Sequence, residues 1–188
     1  MESKLYRFLR PIIKFLVKVF ICPKYIGLDN IPKEGRIILA GNHTSILDCL
    51  ILIAATKRSV HFLAKSELWK GPKKILFSHM GLIPVNRKIK DRKSLELAEE
   101  CLNSELLIGI FPEGTIKKGK DLLPFKIGAV KMAKDTDTKI IPFAIKGKYR
   151  LFSKNLYVSF GKEFVVKDDL DEENKKLRDT IIKMLEGE

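Results

Sequence analysis

The sequence contains few cysteines and few histidines, and neither residue type clusters. Cys22, Cys49 and Cys101 are odd in number and far apart, with no C-x-x-C pair and no histidine nearby at the spacing of metal ligands. We therefore expect reduced thiols in a cytosolic compartment and no metal site. The N-terminal segment also lacks a long apolar run, because charges interrupt it every few residues, whereas a membrane-spanning helix needs about 20 apolar residues. These charges, and the lack of a small-residue cleavage site, argue against a secretory signal.

Internal repeats, low-complexity tracts and linkers are absent too. A chain of 188 residues with 45% hydrophobic and 31% charged residues is typical of one globular domain of moderate size, which we assign to residues 24–188. Acidic residues are scarce, since 23 Asp and Glu stand against 36 Lys and Arg, and the net charge is +13. This excess suits nucleic acid, anionic lipid or phosphorylated substrates, and charge alone does not choose among them.

Residues 1–23 carry a basic stripe at helical spacing. Its members step by three or four positions and occupy one arc of a helical wheel, while apolar residues fill the opposite arc. Because the apolar face is wide and rich in phenylalanine, we expect this segment to lie on an anionic membrane surface rather than to cross the membrane. The alternative is an amphipathic helix that packs on its own domain. The residues expected at the membrane interface are Lys4, Arg7, Phe8, Arg10, Lys14, Phe15 and Lys18.

Apolar runs of strand length alternate with helix-like segments along the rest of the chain. This pattern predicts an α/β fold with a largely parallel central sheet of about six or seven strands flanked by helices, preceded by the N-terminal amphipathic helical segment. The predicted strands are 24–28, 36–41, 60–64, 82–85, 106–111, 139–145 and 156–160. The predicted helices are 46–56, 67–79, 91–104, 125–134 and 171–186.

The stretch GNHTSILD, residues 41–48, sets a histidine and an aspartate five positions apart directly after a predicted strand. Five helical positions turn two side chains about 140° from each other, so His43 and Asp48 meet only if His43 lies ahead of the helix, with Thr44 or Ser45 as its N-cap. The carboxylate would then hold one imidazole nitrogen as N–H and leave the other to accept a proton, as in a general base. The alternative is a capping box, in which Asp48 satisfies a helix amide and His43 is a polar turn residue.

Two further loops follow predicted strands, where ligands of parallel α/β sheets gather. PVNRK delivers Arg87, whose planar fork matches phosphate oxygens. In FPEGT, Gly114 permits a positive φ, so that the amides of Gly114 and Thr115 are able to cradle an anion, and Lys126 adds a point charge. Glu113 is unexpected beside a phosphate unless it binds hydroxyl groups or holds a cation in place.

Together these blocks resemble the lysophosphatidic acid acyltransferases, the 1-acylglycerol-3-phosphate O-acyltransferase family of glycerophospholipid acyltransferases. The family motif N-H-x-x-x-x-D matches NHTSILD, its glycine-arginine block matches GLIPVNR, F-P-E-G-T is complete at 111–115, and its proline-centred apolar block matches IIPFAI. The match covers about residues 24–160, and four blocks in the family's order are far more specific than H-x-x-x-x-D alone. Two features depart from the pattern: Ile116 follows FPEGT where many members have Arg-Ser, and the N-terminal region is shorter than in members with membrane spans.

The resemblance implies transfer of a fatty acyl group from an acyl-CoA or acyl carrier protein thioester to the 2-hydroxyl of 1-acyl-glycerol 3-phosphate, giving phosphatidic acid. It implies no metal and no prosthetic group. The basic stripe and the reduced thiols add the expectation of a peripheral protein on the cytoplasmic face of a membrane. Carried over by residue, the resemblance assigns His43 as the general base, Asp48 as its orienting partner, and Arg87, Glu113, Gly114 and Thr115 as the glycerol phosphate site.

Other readings stay open at this point. The same chemistry can act on another acceptor, such as glycerol 3-phosphate or a lysophospholipid, or the chain can be a non-catalytic module that binds anionic lipid. Nucleic-acid binding has little support, because no fold signature for it is present and the aromatic residues lie mostly in apolar runs. A covalent route through Cys49 is a further alternative, although an apolar-flanked cysteine in a helix is more often an inert core residue.

Overall fold

The structure, a computed structural model, describes residues 4–69, 79, 81–86, 92–116 and 121–187. Within these ranges the chain forms one seven-stranded sheet with helices on both faces. The strands are β1 Lys24–Ile26, β2 Ile37–Gly41, β3 Val60–Lys65, β4 Leu82–Val85, β5 Leu107–Ile110, β6 Lys139–Gly147 and β7 Leu156–Phe160. The helices are α1 Lys4–Leu16, α2 Asp48–Ala55, α3 Arg92–Asn103, α4 Gly128–Asp135 and α5 Leu170–Glu186.

The sheet has the strand order β1-β7-β6-β2-β5-β3-β4. All neighbouring strands run parallel except β6 and β7, which are antiparallel. The prediction of an α/β fold with a largely parallel sheet of six or seven strands is therefore confirmed. All five residues of β2 are buried, as is typical of a strand in a sheet covered on both faces.

Each face of the sheet buries its own apolar cluster, because successive side chains along a strand point to opposite faces. On β2, Ile37 and Leu39 pack with α1 and α2, whereas Ile38 and Ala40 pack with α3, α4 and α5. Each aliphatic side chain buried in this way contributes about 1.5–3 kcal/mol relative to an exposed one. The sheet is thus the middle layer of three, and the connecting loops lie where its strands begin and end.

The helix α1 packs against α2 and divides into three faces. One face is buried through Tyr6, whose hydroxyl oxygen accepts the backbone N–H of Val60 at 2.9 Å, and it continues into Val17 of the π-helical turn Val17–Ile21 that follows α1. A second face exposes apolar side chains, with Phe8 66% and Phe15 62% exposed. The third is basic. Packing on its own domain is therefore confirmed for one face, while docking of the remaining faces on a membrane, and a boundary after residue 23, stay predictions.

No helix among the described residues has the length and apolar composition to span a bilayer. The predicted helix 67–79 falls largely outside these residues, and its start is a 3-10 turn, Ser66–Trp69. The helix predicted from residue 125 begins at Gly128 instead. The reason is tertiary, because contacts with the FPEGT loop hold the preceding segment in a non-helical conformation: the amide of Leu123 donates to Glu113, and that of Lys126 donates to the carbonyl of Pro112.

Candidate active site

Three neighbouring strands, β6, β2 and β5, bring their carboxyl ends to one edge of the sheet. The loops that leave them are residues 148–155 after β6, 42–47 after β2 and 111–115 after β5. The last two were predicted to form a site, whereas the first was not. Gly41 at the end of β2 permits close approach of β2 to Phe143 on β6, because a Cβ there would lie 2.3 Å from the carbonyl oxygen of Phe143.

Asn42 fastens the start of the β2–α2 loop to β6. Its side-chain oxygen accepts the N–H of Ile145 at 2.7 Å, and its Nδ2 donates to the carbonyl of the same residue at 2.9 Å. Asn42 is buried, so both bonds are shielded from water. The next residue, His43, is therefore presented at a defined point on the edge of the sheet.

His43 and Asp48 are in direct contact. Nδ1 of the imidazole lies 2.9 Å from Oδ2 of the carboxylate, with the Asp48 side chain fully buried and the His43 side chain 16% exposed. The predicted geometry, with the histidine ahead of the helix and the aspartate at its start, is confirmed. The imidazole is thus held through one nitrogen at a partly open position.

The Asp48 carboxylate receives four further hydrogen bonds. Oδ2 also accepts the N–H groups of Thr44 at 2.6 Å and Ser45 at 2.9 Å. Oδ1 accepts the hydroxyl of Thr44 at 3.0 Å and the hydroxyl of Tyr149. The two interpretations of GNHTSILD are therefore compatible, since one carboxylate holds the imidazole and satisfies the amides of the turn.

The prediction that Thr44 or Ser45 caps the helix by its side chain is wrong. The helix begins at Asp48, and Leu47, in its N-cap position, has helical backbone angles and no side-chain cap. The hydroxyl of Ser45 instead accepts the N–H of Leu47, two residues on, at 3.2 Å. The reason is that the helix begins three residues after Ser45, so the hydroxyls of Thr44 and Ser45 lie about one turn ahead of its first amides.

Phe111, the first residue of FPEGT, lies against the imidazole. The two rings are stacked with centroids 4.0 Å apart and planes 17° from parallel. Phe111 in turn contacts Phe62 and Phe143, with ring centroids 6.1 and 5.8 Å away. The His43 ring is therefore fixed both by the Asp48 bond in its plane and by an aromatic surface on its face.

Glu113 links three segments of the chain. Its side chain is buried, with Oε1 accepting the backbone N–H of His43 at 2.8 Å and Oε2 accepting that of Leu123 at 2.9 Å. Arg178 on α5 holds the carbonyl of Leu123 from the other side at 3.3 Å. The carboxylate that looked misplaced beside a phosphate site thus supports the backbone of His43, while contact of Glu113 with substrate stays a prediction.

The end of FPEGT forms a turn beneath Lys126, in which Gly114 is half-buried and Thr115 is exposed. Gly114 has a φ of +68°, as predicted, and its N–H donates to the carbonyl of Phe111 at 2.9 Å. This amide closes the turn and Thr115 is exposed, while binding of an anion by Gly114 and Thr115 stays a prediction. The Lys126 ammonium lies above Gly114, with Nζ 3.1 Å from where a Cβ on the glycine would be. The structure thus brings Lys126 to the loop, while Arg87 lies outside the described residues.

Cys49 neighbours Asp48 but is not a nucleophile at neutral pH. Burial, and then the negative charge of Asp48, raise the pKa of its thiol from 9.0 to about 12. Since only the thiolate attacks a thioester, the protonated thiol does not support a covalent route.

Sequence reasoning missed three residues of this site: Asn42, Phe111 and Tyr149. Asn42 and Phe111 belong to motifs that were singled out for their other members. Tyr149 follows β6, so the rule that ligand sites form at the carboxyl ends of parallel strands also pointed to its loop. Nothing in the local pattern indicated that its hydroxyl reaches Asp48.

Comparison with known proteins places the chain in a family. A family model described as Acyltransferase matches residues 22–146. The chain is 34% identical over 175 residues to the 1-acyl-sn-glycerol-3-phosphate acyltransferase of Borreliella burgdorferi, covering 85% of this chain and 70% of that protein. It is 30% identical over 132 residues to the 1-acyl-sn-glycerol-3-phosphate acyltransferase alpha of Mus musculus, covering 68% of this chain but less than half, 46%, of the mouse protein.

The fold matches that of a solved relative. The crystal structure of the 1-acyl-sn-glycerophosphate acyltransferase of Thermotoga maritima superposes with a TM-score of 0.78, covering 97% of this chain and 80% of that one, at 21% sequence identity. At this identity the likeness shows a shared fold. The family model and the Borreliella relative confirm the family resemblance, and this chain belongs to the acyltransferase family, within the lysophosphatidic acid acyltransferases.

Proposed function

We propose that this protein transfers a fatty acyl group from an acyl-CoA or acyl carrier protein thioester to the 2-hydroxyl of 1-acyl-glycerol 3-phosphate, forming phosphatidic acid. The observation that carries the proposal is the contact of His43 Nδ1 with Asp48 Oδ2 at 2.9 Å, at the edge of the sheet where three loops meet. The names of the relatives support the choice of acceptor.

His43 acts as the general base in this proposal. An ionised carboxylate only accepts hydrogen bonds, so Asp48 holds Nδ1 in its N–H form and leaves Nε2 with a lone pair. Nε2 takes the proton of the acceptor hydroxyl as its oxygen attacks the thioester carbonyl. The C–S bond then breaks, and the imidazolium returns the proton to the leaving sulfur. A positioned base of this kind contributes about 10²- to 10⁴-fold in rate, and because a thioester is an activated donor, the reaction needs no metal or prosthetic group.

The phosphate of the acceptor binds on the FPEGT side of His43. Lys126 supplies a charge above Gly114, and Thr115 supplies a hydroxyl at the exposed tip of the same turn. Arg87 completes the site on the strength of its motif. Glu113 fixes the distance between His43 and the proposed phosphate site, because its carboxylate joins the backbone of His43 to the segment that leads to Lys126.

A lipid acceptor resides in a membrane, and we infer that a docking surface around α1 brings the site to it. We define this surface as the exposed apolar residues of the N-terminal helical segment together with the tip of the β6–β7 loop. The rings of Phe20 and Phe152 are 5.5 Å apart, and the N–H of Phe152 donates to the carbonyl of Phe20 at 2.7 Å, so the two parts are continuous. The apolar members are Phe8, Ile12, Phe15, Leu16, Val19, Phe20, Leu151 and Phe152.

Exposed cations border this surface. Lys4, Arg7, Lys14 and Lys18 are exposed and suit an anionic leaflet, where each contributes about 1 kcal/mol. Arg10 differs, since its guanidinium donates to the carbonyl of Lys57 and so faces the domain. The docked orientation proposed here leaves Tyr6 and Val17 packed on the domain and inserts the phenylalanines between the headgroups.

The experiment that tests the function incubates the purified protein with lysophosphatidic acid and, separately, acyl thioesters of coenzyme A and of carrier protein, and identifies the lipid product by mass. We expect phosphatidic acid from the parent and near-complete loss of it in His43→Ala, with cooperative unfolding retained and unchanged binding to anionic liposomes. Transfer by His43→Ala at the parent rate would contradict the general-base assignment.

Parallel reactions with glycerol 3-phosphate and with lysophosphatidylcholine separate the alternatives. Faster acylation of either one would replace the acceptor proposed here while keeping the chemistry. Liposome binding by the parent with no acylation of any acceptor would identify a non-catalytic lipid-binding module instead.

A further inference from the structure

Tyr149 connects the catalytic candidate pair to a distant part of the chain. It lies in the loop after β6, 101 residues from Asp48, and its hydroxyl donates to Oδ1 of that carboxylate. The other donors to Asp48 that the structure describes all come from residues 43–45. Tyr149 therefore links the pair to the sheet rather than to its own turn.

The tyrosine is held so that its hydroxyl has a defined position. Its ring is half-buried and packs against the apolar cluster of α1 and α2. Beyond it, the N–H of Ser153 donates to the carbonyl of Arg150 at 3.3 Å, and Phe152 is tied to the backbone of Phe20. The loop is thus anchored before the ring by the end of β6, where Gly147 pairs with Leu156, and after it by Phe152, and removing only the hydroxyl leaves both anchors in place.

The Tyr149 hydroxyl holds its proton more firmly than an ordinary tyrosine does. Burial, followed by the negative charge of Asp48, raises the pKa of its hydroxyl well above the usual value of 10.0. The hydroxyl is consequently a donor and the carboxylate its acceptor, which makes this a charge-assisted hydrogen bond.

We propose that Tyr149 is a positioning residue for acyl transfer, holding the Asp48 carboxylate in the rotation that directs Oδ2 at Nδ1 of His43. This inference rests on the proposed role of His43 as the base. With Oδ1 held by the hydroxyls of Tyr149 and Thr44, the carboxylate plane is fixed, and Oδ2 serves the imidazole and the two loop amides. Without the Tyr149 hydroxyl, Oδ1 keeps only the Thr44 hydroxyl as a donor, and the carboxylate rotates away from the orientation that directs Oδ2 at the imidazole.

The test uses Tyr149→Phe, which removes the hydroxyl and keeps the packed ring. We expect kcat to fall about tenfold, as for loss of one charge-assisted hydrogen bond, with KM for both substrates unchanged. The buried carboxylate loses one donor, so the unfolding midpoint falls as well, and kcat is compared at a temperature where both proteins are fully folded. The matched control is Tyr25→Phe, because Tyr25 is also half-buried but donates to the carbonyl of Ile51 at 2.9 Å and not to Asp48. In this control kcat stays within about twofold of the parent value.

A double-mutant cycle shows whether the effect passes through Asp48. Asp48→Asn lowers kcat by itself, and adding Tyr149→Phe to it is expected to lower kcat no further, since the carboxylate that the hydroxyl holds is gone. A parent-like kcat in Tyr149→Phe, or an equal loss with and without Asp48→Asn, would overturn the inference.

A second readout does not depend on turnover. The ¹⁵N signals of the His43 ring report how fully Nδ1 carries the proton, and we expect Tyr149→Phe to shift them while Tyr25→Phe leaves them as in the parent. If the parent acylates no acceptor, the proposed function fails by itself. The ring signals still decide on Tyr149, because identical signals in the parent and Tyr149→Phe would refute its positioning role.

Discussion

Glu113 accepts the backbone N–H of His43 at 2.8 Å with one carboxylate oxygen and that of Leu123 at 2.9 Å with the other. A buried carboxylate that joins two loops in this way acts on the position of the base, whatever it does for the substrate. Helix α5 supports the same joint, because Arg178 and Asn174 hold the carbonyls of Leu122 and Phe125 at 2.8 and 3.0 Å. Helix α5, on the other face of the sheet, therefore helps Glu113 to hold the backbone of His43 in place.

Glu113→Gln tests this brace. A glutamine keeps one acceptor oxygen but turns an NH₂ group towards one of the two amide donors, so one buried N–H loses its partner. We expect the free energy of unfolding, measured by urea denaturation, to fall by about 1–3 kcal/mol, and acyl transfer to fall with it.

The matched control is Glu163→Gln, which makes the same chemical change in an exposed ion pair with Lys139. Exposed pairs contribute about 0–1 kcal/mol, so this variant should unfold close to the parent. Equal unfolding curves for the parent and Glu113→Gln would show that Glu113 is no brace.

The raised pKa of the Cys49 thiol predicts that the protein becomes less stable at alkaline pH. Its thiol pKa is about 12 in the folded protein against 9.0 ordinarily. Above about pH 9 the unfolded chain loses this proton while the folded chain retains it, so the unfolded state binds fewer protons and the free energy of unfolding falls as pH rises from 9 towards 12. Below pH 9 the thiol is protonated in both states, so the free energy of unfolding has its full value with respect to this group. Urea denaturation at pH 7, 9 and 10 should show the decline in the parent and a shallower one in Cys49→Ala.

The same variant examines the covalent route. Because the thiol is protonated at neutral pH, Cys49→Ala should keep kcat within about threefold of the parent. Loss of acyl transfer in a folded Cys49→Ala protein would return the cysteine to consideration as a nucleophile.

The docking surface predicts that membrane binding and catalysis are separable. Phe8 and Phe15 are exposed on α1 and make no part of its buried face, so Phe8→Ser with Phe15→Ser leaves Tyr6 and Val17 to hold the helix in place. We expect sedimentation with anionic liposomes to weaken about tenfold or more, since two phenylalanines no longer insert. Activity on membrane-embedded acceptor falls, whereas activity on a short-chain soluble acceptor survives.

Val165→Ser is the control for that experiment, because Val165 is an exposed apolar residue outside the docking surface. Added salt should weaken binding of the parent, as the bordering cations are screened. Unchanged sedimentation of the double variant would place membrane contact elsewhere on the protein. Deleting residues 1–20 is a poorer test, since it also removes Tyr6 and Val17 from the core.

Local patterns predicted much of the fold and part of the site. The seven predicted strands are all present because each is a short run with apolar residues, and the central strands β2 and β5 are apolar enough to be buried along their whole length. Helix starts were less well predicted. Helix α4 begins three residues late because Glu113 and Pro112, which lie in another loop, bind the amides of Leu123 and Lys126 and keep the preceding segment out of the helix. The apolar arc of α1 gave no indication that only one side of it would be buried.

The sequence by itself determined the α/β class, the family and the pairing of His43 with Asp48, because each depends on residues that are neighbours along the chain or on motifs with set spacing. The tertiary structure decided what holds that pair: Glu113 reaches His43 across 70 residues, and Tyr149 reaches Asp48 across 101. Those contacts exist because β6, β2 and β5 lie side by side in parallel and end at one edge. Strand order is set by the packing of the whole core, so no local stretch encodes it.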